Sequence, residues 1–596
     1  MVPRLLQKFA QSLQDLPPEL QEIFSRIQAN LTHTTFDHDG CRERIEGLFN
    51  QGILSNQSTT VLDFMFPLNA TGGHRMGHDD MVVAFPACQA VCGVRGWYID
   101  KGPRLMVWVL PILLLVSNIE LSPIDKRRLV TIAQSGGDPV DCTWSLLAKL
   151  DSRKRIYGIA QDYLDERIDR RDLIGRPWNI LVDRARVVAT VLSGLEDIFS
   201  AELERDFDSV QVLRQFMEDF GASSTDREIQ NLWKKTALDL VDSRTDDILR
   251  AILALFVYVL GLCSAFIADI GGSSQTIPGG IIGVSLSLSF LIPLVILSNG
   301  VGVYTSRRRP LEIMICFVHN VNQHLQPQHR LHPRLCGEPW EQYFNRLYWN
   351  GGVDTFRPWK THGPGLARNL VHPLIAALPV TAGFVGAFII LSNAAEQGFS
   401  CRHIVLVTMY VAWVLSAIFS NGGYRCLEAL RFGRPNNRRG AHWYICLVKD
   451  TCLASASLVF IFFSAAGYFN SCTCWSRKLF VGWEKATVFL PINDVYRLNY
   501  RGLFPGTVAG VIIFQLAFSF GMLWWFGDGF RVLRWSEKKR QMVWEEVMGE
   551  QGFQRDMFLR VRGTREEREE ERTARLGAVR NTGSFELSAS IPQVYA

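Results

Sequence analysis

Long apolar blocks alternate with charged segments along most of the chain. An α-helix needs roughly 20 consecutive apolar residues to cross the hydrocarbon core of a bilayer. Several blocks reach or approach that length, and the short connections at one side carry clusters of Lys and Arg. Such clusters mark cytoplasmic loops. The pattern predicts an all-α, polytopic helical membrane protein with about seven transmembrane helices, its N-terminus outside and its C-terminus cytoplasmic.

The alternation divides the chain into eleven consecutive parts. The predicted membrane parts are 104–121 (one helix), 248–304 (two), 370–420 (two), 443–469 (one) and 503–527 (one). The remaining parts are an outer N-terminal region 1–103, a cytoplasmic helical segment 122–247, a cytoplasmic loop 305–369, a basic cytoplasmic loop 421–442, an outer loop 470–502 and a charged, partly disordered cytoplasmic tail 528–596.

The stretch 104–128 decides the orientation of this arrangement, although it is the weakest of the predicted spans. Its apolar run is short, contains Pro111 and ends at Asn118 and Glu120. The basic triplet Lys126–Arg128 follows, which indicates the cytoplasmic side. If this stretch does not cross the membrane, six spans remain and the N-terminal region is cytoplasmic.

The N-terminal region carries features of an oxidising, glycosylating compartment. Three N-x-S/T sequons, at Asn30, Asn56 and Asn69, all precede the first predicted span. Under the seven-span topology six cysteines face outward, and we expect disulfides among Cys41, Cys88, Cys92, Cys401, Cys472 and Cys474. Cys472 and Cys474 are too close in sequence to pair without strain, so we expect their partners in the N-terminal region.

Several local motifs predict helix boundaries and helix packing. Asp138-Pro139 is typical of an N-cap followed by proline at the first helical position. The helix that follows is expected to carry Trp144, Leu147 and Leu150 on one apolar face. The sequence Thr225-Asp-Arg-Glu228 is a capping-box pattern.

Small residues recur at a spacing that permits close helix approach at two places, Gly279–Gly283 and Gly506–Gly510. We expect both glycine patterns to serve packing within the chain rather than dimerisation.

Composition narrows the function classes without selecting one. The net charge is +5, with 48% hydrophobic and 20% charged residues. The basic residues lie mostly beside the apolar blocks, so we expect a lipid bilayer as partner and no nucleic acid. Arg153–Arg155 and Arg425–Arg439 are suited to anionic lipid headgroups, and the ordinary basic bias of inner loops explains them equally well.

A metal site is the sharpest chemical candidate, and its spacing is against it. One cytoplasmic stretch holds His319, His324, His329, His332 and Cys336, all of them residue types that bind zinc. The spacing matches no standard structural zinc pattern, and a solvated, proline-bearing loop accounts for it. The outer-region residues His33, His38, Asp39, His74, His78 and Asp79 form a second weak group.

The predicted spans are poor in ionisable residues, and no catalytic motif or cofactor-binding motif is present. Lys449 and Asp450 are expected to remain in the interface at the entry of the sixth span. Gln515 and Asn299 are expected to bridge helices. We therefore expect no enzyme active site and no cofactor.

The stretches LPILLLVSNIELSPIDKRR, GGDPVDCTWSLLAKLD and FNSCTCWS resemble a type of uncharacterised multi-pass membrane protein of filamentous fungi. That resemblance implies the topology and no activity. The leading hypothesis is a multi-pass protein of sensing, scaffolding or membrane organisation. The alternative is a channel or transporter for a neutral or weakly polar solute, and a membrane-embedded enzyme is third.

Overall fold

Helices form most of the chain in a computed structural model, with six strands of two to four residues in its described part. The structure describes residues 41, 43–44, 47, 81–84, 88, 92, 112–119, 132–167, 178–198, 209–245, 248–270, 279–304, 308–325, 334–335, 338–344, 366–393, 400–429, 435–466, 468–469, 471–475, 487–490 and 502–547. The predicted all-helical class is confirmed for this part.

The helices and strands follow one another along the chain, and short helical pieces at 112–117, 132–137 and 537–547 complete them. The helices are α1 Pro139–Arg167, α2 Trp178–Ile198, α3 Ser209–Asp219, α4 Arg227–Asp242, α5 Ile248–Ile270, α6 Gly279–Ser287, α7 Leu291–Val301, α8 Arg308–Leu325, α9 Leu366–Ser392, α10 Cys401–Ala429, α11 Pro435–Ala465, α12 Cys472–Trp475, α13 Leu503–Trp525 and α14 Gly527–Val532. The strands are β1 Met81–Ala84, β2 Arg244–Thr245, β3 Val303–Tyr304, β4 Arg334–Leu335, β5 Glu338–Pro339 and β6 Thr487–Leu490.

Three antiparallel strand pairs join distant parts of the sequence. Strand β1 pairs with β6, with Met81 opposite Leu490. Strand β2 pairs with β3, with Arg244 opposite Tyr304. Strands β4 and β5 form a short hairpin. The β1–β6 pair therefore ties the N-terminal region to the segment before α13.

Among the described residues, five helical stretches are long and apolar enough to cross a membrane. They are Ile282–Val301, Val371–Ser392, Cys401–Ser420, Tyr444–Ser464 and Leu503–Trp525. In α5 the apolar stretch Leu249–Cys263 is shorter, and of the first predicted span only residues 112–119 are described. Five of the seven predicted spans thus have counterparts, and the count of seven stays a prediction.

The outer surface of these helices is apolar, and we call their assembly, α5–α7, α9–α11 and α13, the bundle. Large apolar side chains that are more than 60% exposed include Leu374, Ile418, Leu458 and Ile513. Trp524 and Trp525 are also exposed at the end of α13, where Arg531 and Arg534 follow. Exposed apolar faces on this scale mark contact with another apolar phase. The surface fits an integral membrane protein.

The innermost span is broken. Helix α6 ends at Ser287 and α7 begins at Leu291, whereas the sequence predicts one helix here. Pro293 lacks the N–H that would bond to the Ser289 carbonyl. The N–H of Ile292 donates to that carbonyl instead, at 3.0 Å, and i→i+3 bonds of the 3₁₀ type replace the regular helix. The break is almost wholly enclosed, because 94% of the stretch Ile282–Val301 is buried.

A second core lies beside the bundle. We call it the helical unit: α2, α3, α4, α8 and α1 from Ile156 onward. Its centre is an aromatic cluster in which ring centroids lie 4.5 Å apart for Phe216 and Phe220, and 4.9 Å apart for Trp233 and Phe317. Trp340 packs edge-on against Phe216 and donates its indole N–H to Asp219 at 2.9 Å. The unit therefore has a well-packed core of its own.

Helix α1 belongs to both cores. Val140 to Leu150 pack in the bundle with the membrane-type helices, whereas Ile156 to Leu164 pack in the helical unit. Every residue from Pro139 to Arg153 is buried, so the expected single apolar face does not exist there. The sequence assigns this stretch to a solvated segment because it contains Asp141, Lys149 and Arg153. In the structure these side chains find polar partners inside the protein, as described below.

Candidate functional site

Asp138 is a fully buried carboxylate that binds donors from three helices. Its Oδ1 atom accepts the N–H of Asp141 at 3.1 Å, which confirms the predicted N-cap of α1. Its Oδ2 atom accepts hydrogen bonds from the hydroxyls of Ser416 and Ser420, both at 2.9 Å, and from the ammonium of Lys449 at 2.8 Å. A buried charge is tolerated only when it is paired and hydrogen-bonded in this way.

The Lys449 ammonium lies in a cage of oxygen atoms that we call the Lys449 cage: Asp138, Ser416, Ser420 and Asp450 around Nζ. Distances from Nζ are 2.8 Å to Asp138 Oδ2, 2.8 Å to Ser420 Oγ, 3.1 Å to the Ser416 carbonyl and 2.8 Å to Asp450 Oδ1. The Ser416 hydroxyl is a fifth oxygen partner. The expected interfacial position of Lys449 and Asp450 is wrong, because Asp450 is buried and Lys449 is only 17% exposed.

Small residues let the chain before α1 reach this cage. A Cβ atom on Gly137 would lie 2.1 Å from the backbone oxygen of Asp450, so this close approach requires glycine. One residue earlier, Gly136 accepts a hydrogen bond from the indole N–H of Trp413 at 3.1 Å. The Gly136-Gly137-Asp138 sequence thus fixes the start of α1 between α10 and α11.

Gln134 stands next to the cage with its amide unused. The residue is 1% exposed, and neither its Nε2 nor its Oε1 has a hydrogen-bond partner. The N–H of Asp138 donates to the Gln134 carbonyl at 2.7 Å, a spacing that puts both residues on the same side of a helical turn. Buried amides are normally hydrogen-bonded. Gln134 is therefore an unsatisfied polar group on the side of the turn that carries Asp138.

A second ionic cluster lies further along α1, where the bundle meets the helical unit. The Lys149 ammonium donates to Glu196 at 2.9 Å and to Asp197 at 2.5 Å. Burial alone would lower the pKa of Lys149, but the charges of Asp197 and Glu196 outweigh it, so that the pKa is raised. Ser152 also donates to Glu196, at 2.5 Å. This cluster joins α1 to α2.

Two guanidinium groups hold the end of the broken span. Arg153 Nη1 donates to the Val301 carbonyl at 2.7 Å, and Arg244 Nη2 donates to the Gly300 carbonyl at 2.9 Å. Cations at a helix C-terminus complement its free carbonyls and dipole. Gly302 then turns the chain with a φ of +60°, and a Cβ there would lie 2.0 Å from the Arg244 side chain. Helix α7 is thereby fixed to α1 and β2.

The break between α6 and α7 has a polar neighbour in Gln515. Its Nε2 donates to Ser289 Oγ at 3.0 Å and to the Pro379 carbonyl at 2.8 Å. The predicted bridging role of Gln515 is confirmed, and Asn299 likewise donates to the Asn118 carbonyl at 3.0 Å. The Oε1 atom of Gln515 is buried without a partner.

All six cysteines that the sequence singles out lie in three disulfides. The pairs are Cys41–Cys92, Cys88–Cys472 and Cys401–Cys474. Cys472 has its expected partner in the N-terminal region. The same expectation is wrong for Cys474, which pairs with the first residue of α10. Cys41, Cys88 and Cys92 also have the only metal-like arrangement in the described residues, and all three are disulfide-bonded.

The histidine candidates are only partly described, and those that are described have partners of their own. His324, near the end of α8, has its ring nitrogens 2.8 Å from Asp226 Oδ2 and 3.0 Å from Glu228 Oε2. His319 contacts Gln323 one turn away on the same helix. His329, His332 and Cys336 lie outside the described residues, as do the sequons at Asn30, Asn56 and Asn69 and the outer-region group of His33, His38, Asp39, His74, His78 and Asp79.

The candidate capping box differs from its prediction by one residue. Asp226, not Thr225, is the N-cap of α4, and its Oδ1 accepts the N–H of Glu228 at 2.9 Å. The Glu228 carboxylate contacts His324.

The basic stretch at 421–442 is also different from its prediction, because α10 continues to Ala429 and α11 begins at Pro435.

Comparison of the chain with models of protein families, with curated proteins and with solved structures found no match. The resemblance to fungal membrane proteins therefore stays a prediction.

Proposed function

We propose that this integral membrane protein senses or organises the membrane by coupling the state of its bundle to its helical unit. The observation that carries the proposal is helix α1, which runs unbroken for 29 residues from Asp138 in the Lys449 cage to the core of the helical unit. At 1.5 Å per residue, such a helix is about 44 Å long. A single helix that is packed at both ends transmits displacement as a rigid body.

Contacts at the junction support the same proposal. The side chains of Lys149 and Arg153 are buried where the two cores meet, and they bind α2 and the end of α7. A shift of α1 or α7 must therefore rearrange charged hydrogen bonds that also hold the helical unit. Packed elements of this kind change between discrete arrangements rather than deform continuously.

Hydrogen–deuterium exchange on the full chain in lipid nanodiscs tests the coupling. Lys449→Met removes the ammonium at the start of α1, and we expect faster exchange in α2 and α4 as well as in α10 and α11. Leu458→Ala is the matched control on α11, because Leu458 faces outward and is 63% exposed. Faster exchange confined to α10 and α11 would contradict the proposal.

The broken span favours a second function, transport of a neutral or weakly polar solute. Interrupted membrane helices whose freed polar groups lie at mid-bundle are typical of solute sites in transporters. Here Ser289 and the unpartnered Oε1 of Gln515 supply such groups.

Accessibility tests this alternative. A cysteine at Ser289→Cys is expected to react with a water-soluble thiosulfonate reagent if a solute path reaches the break. Ser193→Cys is the control, since Ser193 is buried in the core of the helical unit. Equal inertness of the two sites would exclude a water-filled path at Ser289.

The orientation is part of the proposal. We infer an outer N-terminus from the sequons at Asn30, Asn56 and Asn69 and from the disulfides, which form in oxidising compartments. An endoglycosidase shift on gels, compared between the native chain and the three Asn→Gln variants, tests it. Absence of a shift at all three sites would favour a cytoplasmic N-terminus.

A further inference from the structure

We propose that the Lys449 cage is a binding site for a monovalent alkali cation, which Lys449 fills with its own ammonium when no cation is bound. The inference rests on the proposed coupling function, since α1 begins in this cage, and it names the ligand that the bundle would sense. Five oxygen atoms from Asp138, Asp450, Ser416 and Ser420 surround Nζ, and no nitrogen or sulfur atom is among its hydrogen-bond and ion-pair partners. Oxygen donors of this kind suit alkali cations as well as ammonium.

The charges around the cage favour a cation. Asp138, Asp141 and Asp450 are buried, and Lys449 is the basic group bonded between Asp138 and Asp450. The other described residues that face the cage from α10 and from 132–137 are uncharged. On α11 the nearby titratable group is Cys446, and the described side chains of α9 include no acid, lysine or arginine. Carboxylates therefore outnumber ammonium groups.

Gln134 is the independent observation that points to a ligand. Its amide is 1% exposed and has no partner at either atom, and it shares a side of the helical turn with Asp138. A buried amide left unsatisfied costs about 1–3 kcal/mol. A bound cation would take the Oε1 atom as a ligand, which a tethered ammonium already saturated by five oxygens does not need.

Exchange between the two occupants conserves charge. The alkali cation enters as the Lys449 ammonium either swings out of the cage or gives one proton to solvent. In the second case one proton leaves for each cation bound. Binding should then tighten about tenfold per pH unit below the titration of the lysine.

Salt-dependent thermal unfolding of the full chain in detergent tests the site. KCl, NaCl and N-methyl-D-glucamine chloride are compared at equal ionic strength, at pH 7 and pH 9. We expect K⁺ or Na⁺ to stabilise the protein where the organic cation does not, with an apparent Kd about 100-fold lower at pH 9. The two alkali arms identify the cation. Equal effects of all three salts, or no dependence on pH, would overturn the proposal.

Variants separate the occupants. Gln134→Leu should weaken alkali-cation binding several-fold, whereas Gln323→Leu, at an exposed position on α8, should leave it unchanged. Lys449→Gln should bind the cation at pH 7 with no dependence on pH. If that variant does not fold, the two-pH comparison of the native chain still decides.

Hydrogen–deuterium exchange with and without K⁺ distinguishes this proposal from the function that it rests on. Stabilisation by K⁺ without any change in α2 and α4 would keep the cation site and overturn the coupling.

Discussion

Nζ of Lys449 lies 2.8 Å from Oδ2 of Asp138, across 311 residues of sequence. The pair joins the start of α1 to α11 inside the bundle, and the hydroxyls of Ser416 and Ser420 complete it. Each partner would be an uncompensated buried charge without the other.

Removal of one charge from this pair should be strongly destabilising. We expect Asp138→Asn to lower the free energy of unfolding by about 3–5 kcal/mol, because it leaves Lys449 facing a neutral amide. The double variant Asp138→Asn, Lys449→Met should recover part of that loss. Denaturant unfolding in detergent, followed by circular dichroism, measures both.

The pair Arg167–Glu218 is the control for this comparison, since both of its side chains are about half exposed. Glu218→Gln should cost less than about 1 kcal/mol. Similar losses at Asp138 and Glu218 would mean that the buried pair does not stabilise the bundle.

A methyl group in the bundle should separate buried glycines from open ones. A Cβ on Gly383 would lie 3.0 Å from the Leu286 carbonyl and 3.0 Å from Ser289 Oγ, so α9 must move away from the break. We expect Gly383→Ala to cost about 1–3 kcal/mol. The measurement is thermal unfolding of the full chain.

Gly510→Ala is the matched control in another span, because a Cβ there meets no described atom within 4 Å. The same holds for Gly506, so the predicted packing role of this glycine pair within the chain finds no support in the described part, whereas Gly283 does pack against Leu391. We expect Gly510→Ala to be neutral or slightly stabilising. A loss at Gly510 equal to that at Gly383 would contradict the packing described for α9.

Acid should loosen the contact between α4 and α8. Hydrogen bonds from His324 and from the backbone N–H of Glu228 hold the pKa of Asp226 below its ordinary value. A lowered carboxyl pKa adds stability above the unfolded value of about 3.9, and that stability is lost as the pH falls through the folded value. Asp226→Asn should therefore flatten the dependence of thermal stability on pH below about pH 4.

Fluorescence of the buried Trp233 on α4, recorded during unfolding at several pH values, follows this change. His324→Gln should shift the acid transition of the native Asp226 upward, because it removes the stronger of the two contacts. An unchanged profile in both variants would show that the Asp226–His324 contact does not form in solution.

Peptide mapping without reduction should recover three cross-linked pairs. We expect Cys41 with Cys92, Cys88 with Cys472 and Cys401 with Cys474, and free thiols at Cys263, Cys316 and Cys452. Loss of one disulfide typically costs about 2–5 kcal/mol. Cys401→Ser should therefore lower the unfolding temperature, whereas Cys452→Ser, at an exposed position, should not. Thiols at all six positions would place this region in a reducing compartment.

Helix content, most span positions and the disulfide set follow from local pattern. Apolar length predicts the spans because each helix must satisfy its own backbone in lipid. Asp138-Pro139 predicts the start of α1 because a cap and its helix are neighbours in sequence. The six cysteines could be selected from topology, but their pairing could not, because Cys474 meets Cys401 only after the spans have assembled.

The site was beyond the reach of the sequence for a physical reason. Charges in 138–153 are typical of a solvated helix when each is considered alone, and Lys449 and Asp450 are typical of an interface. Whether a charge is solvated depends on what surrounds it, and Asp138 meets Lys449 only through contacts between α1, α10 and α11. Local pattern determined the helical membrane character of this protein. The tertiary structure alone decided that a polar helix lies inside the bundle, because only the folded chain supplies the partners that make its burial stable.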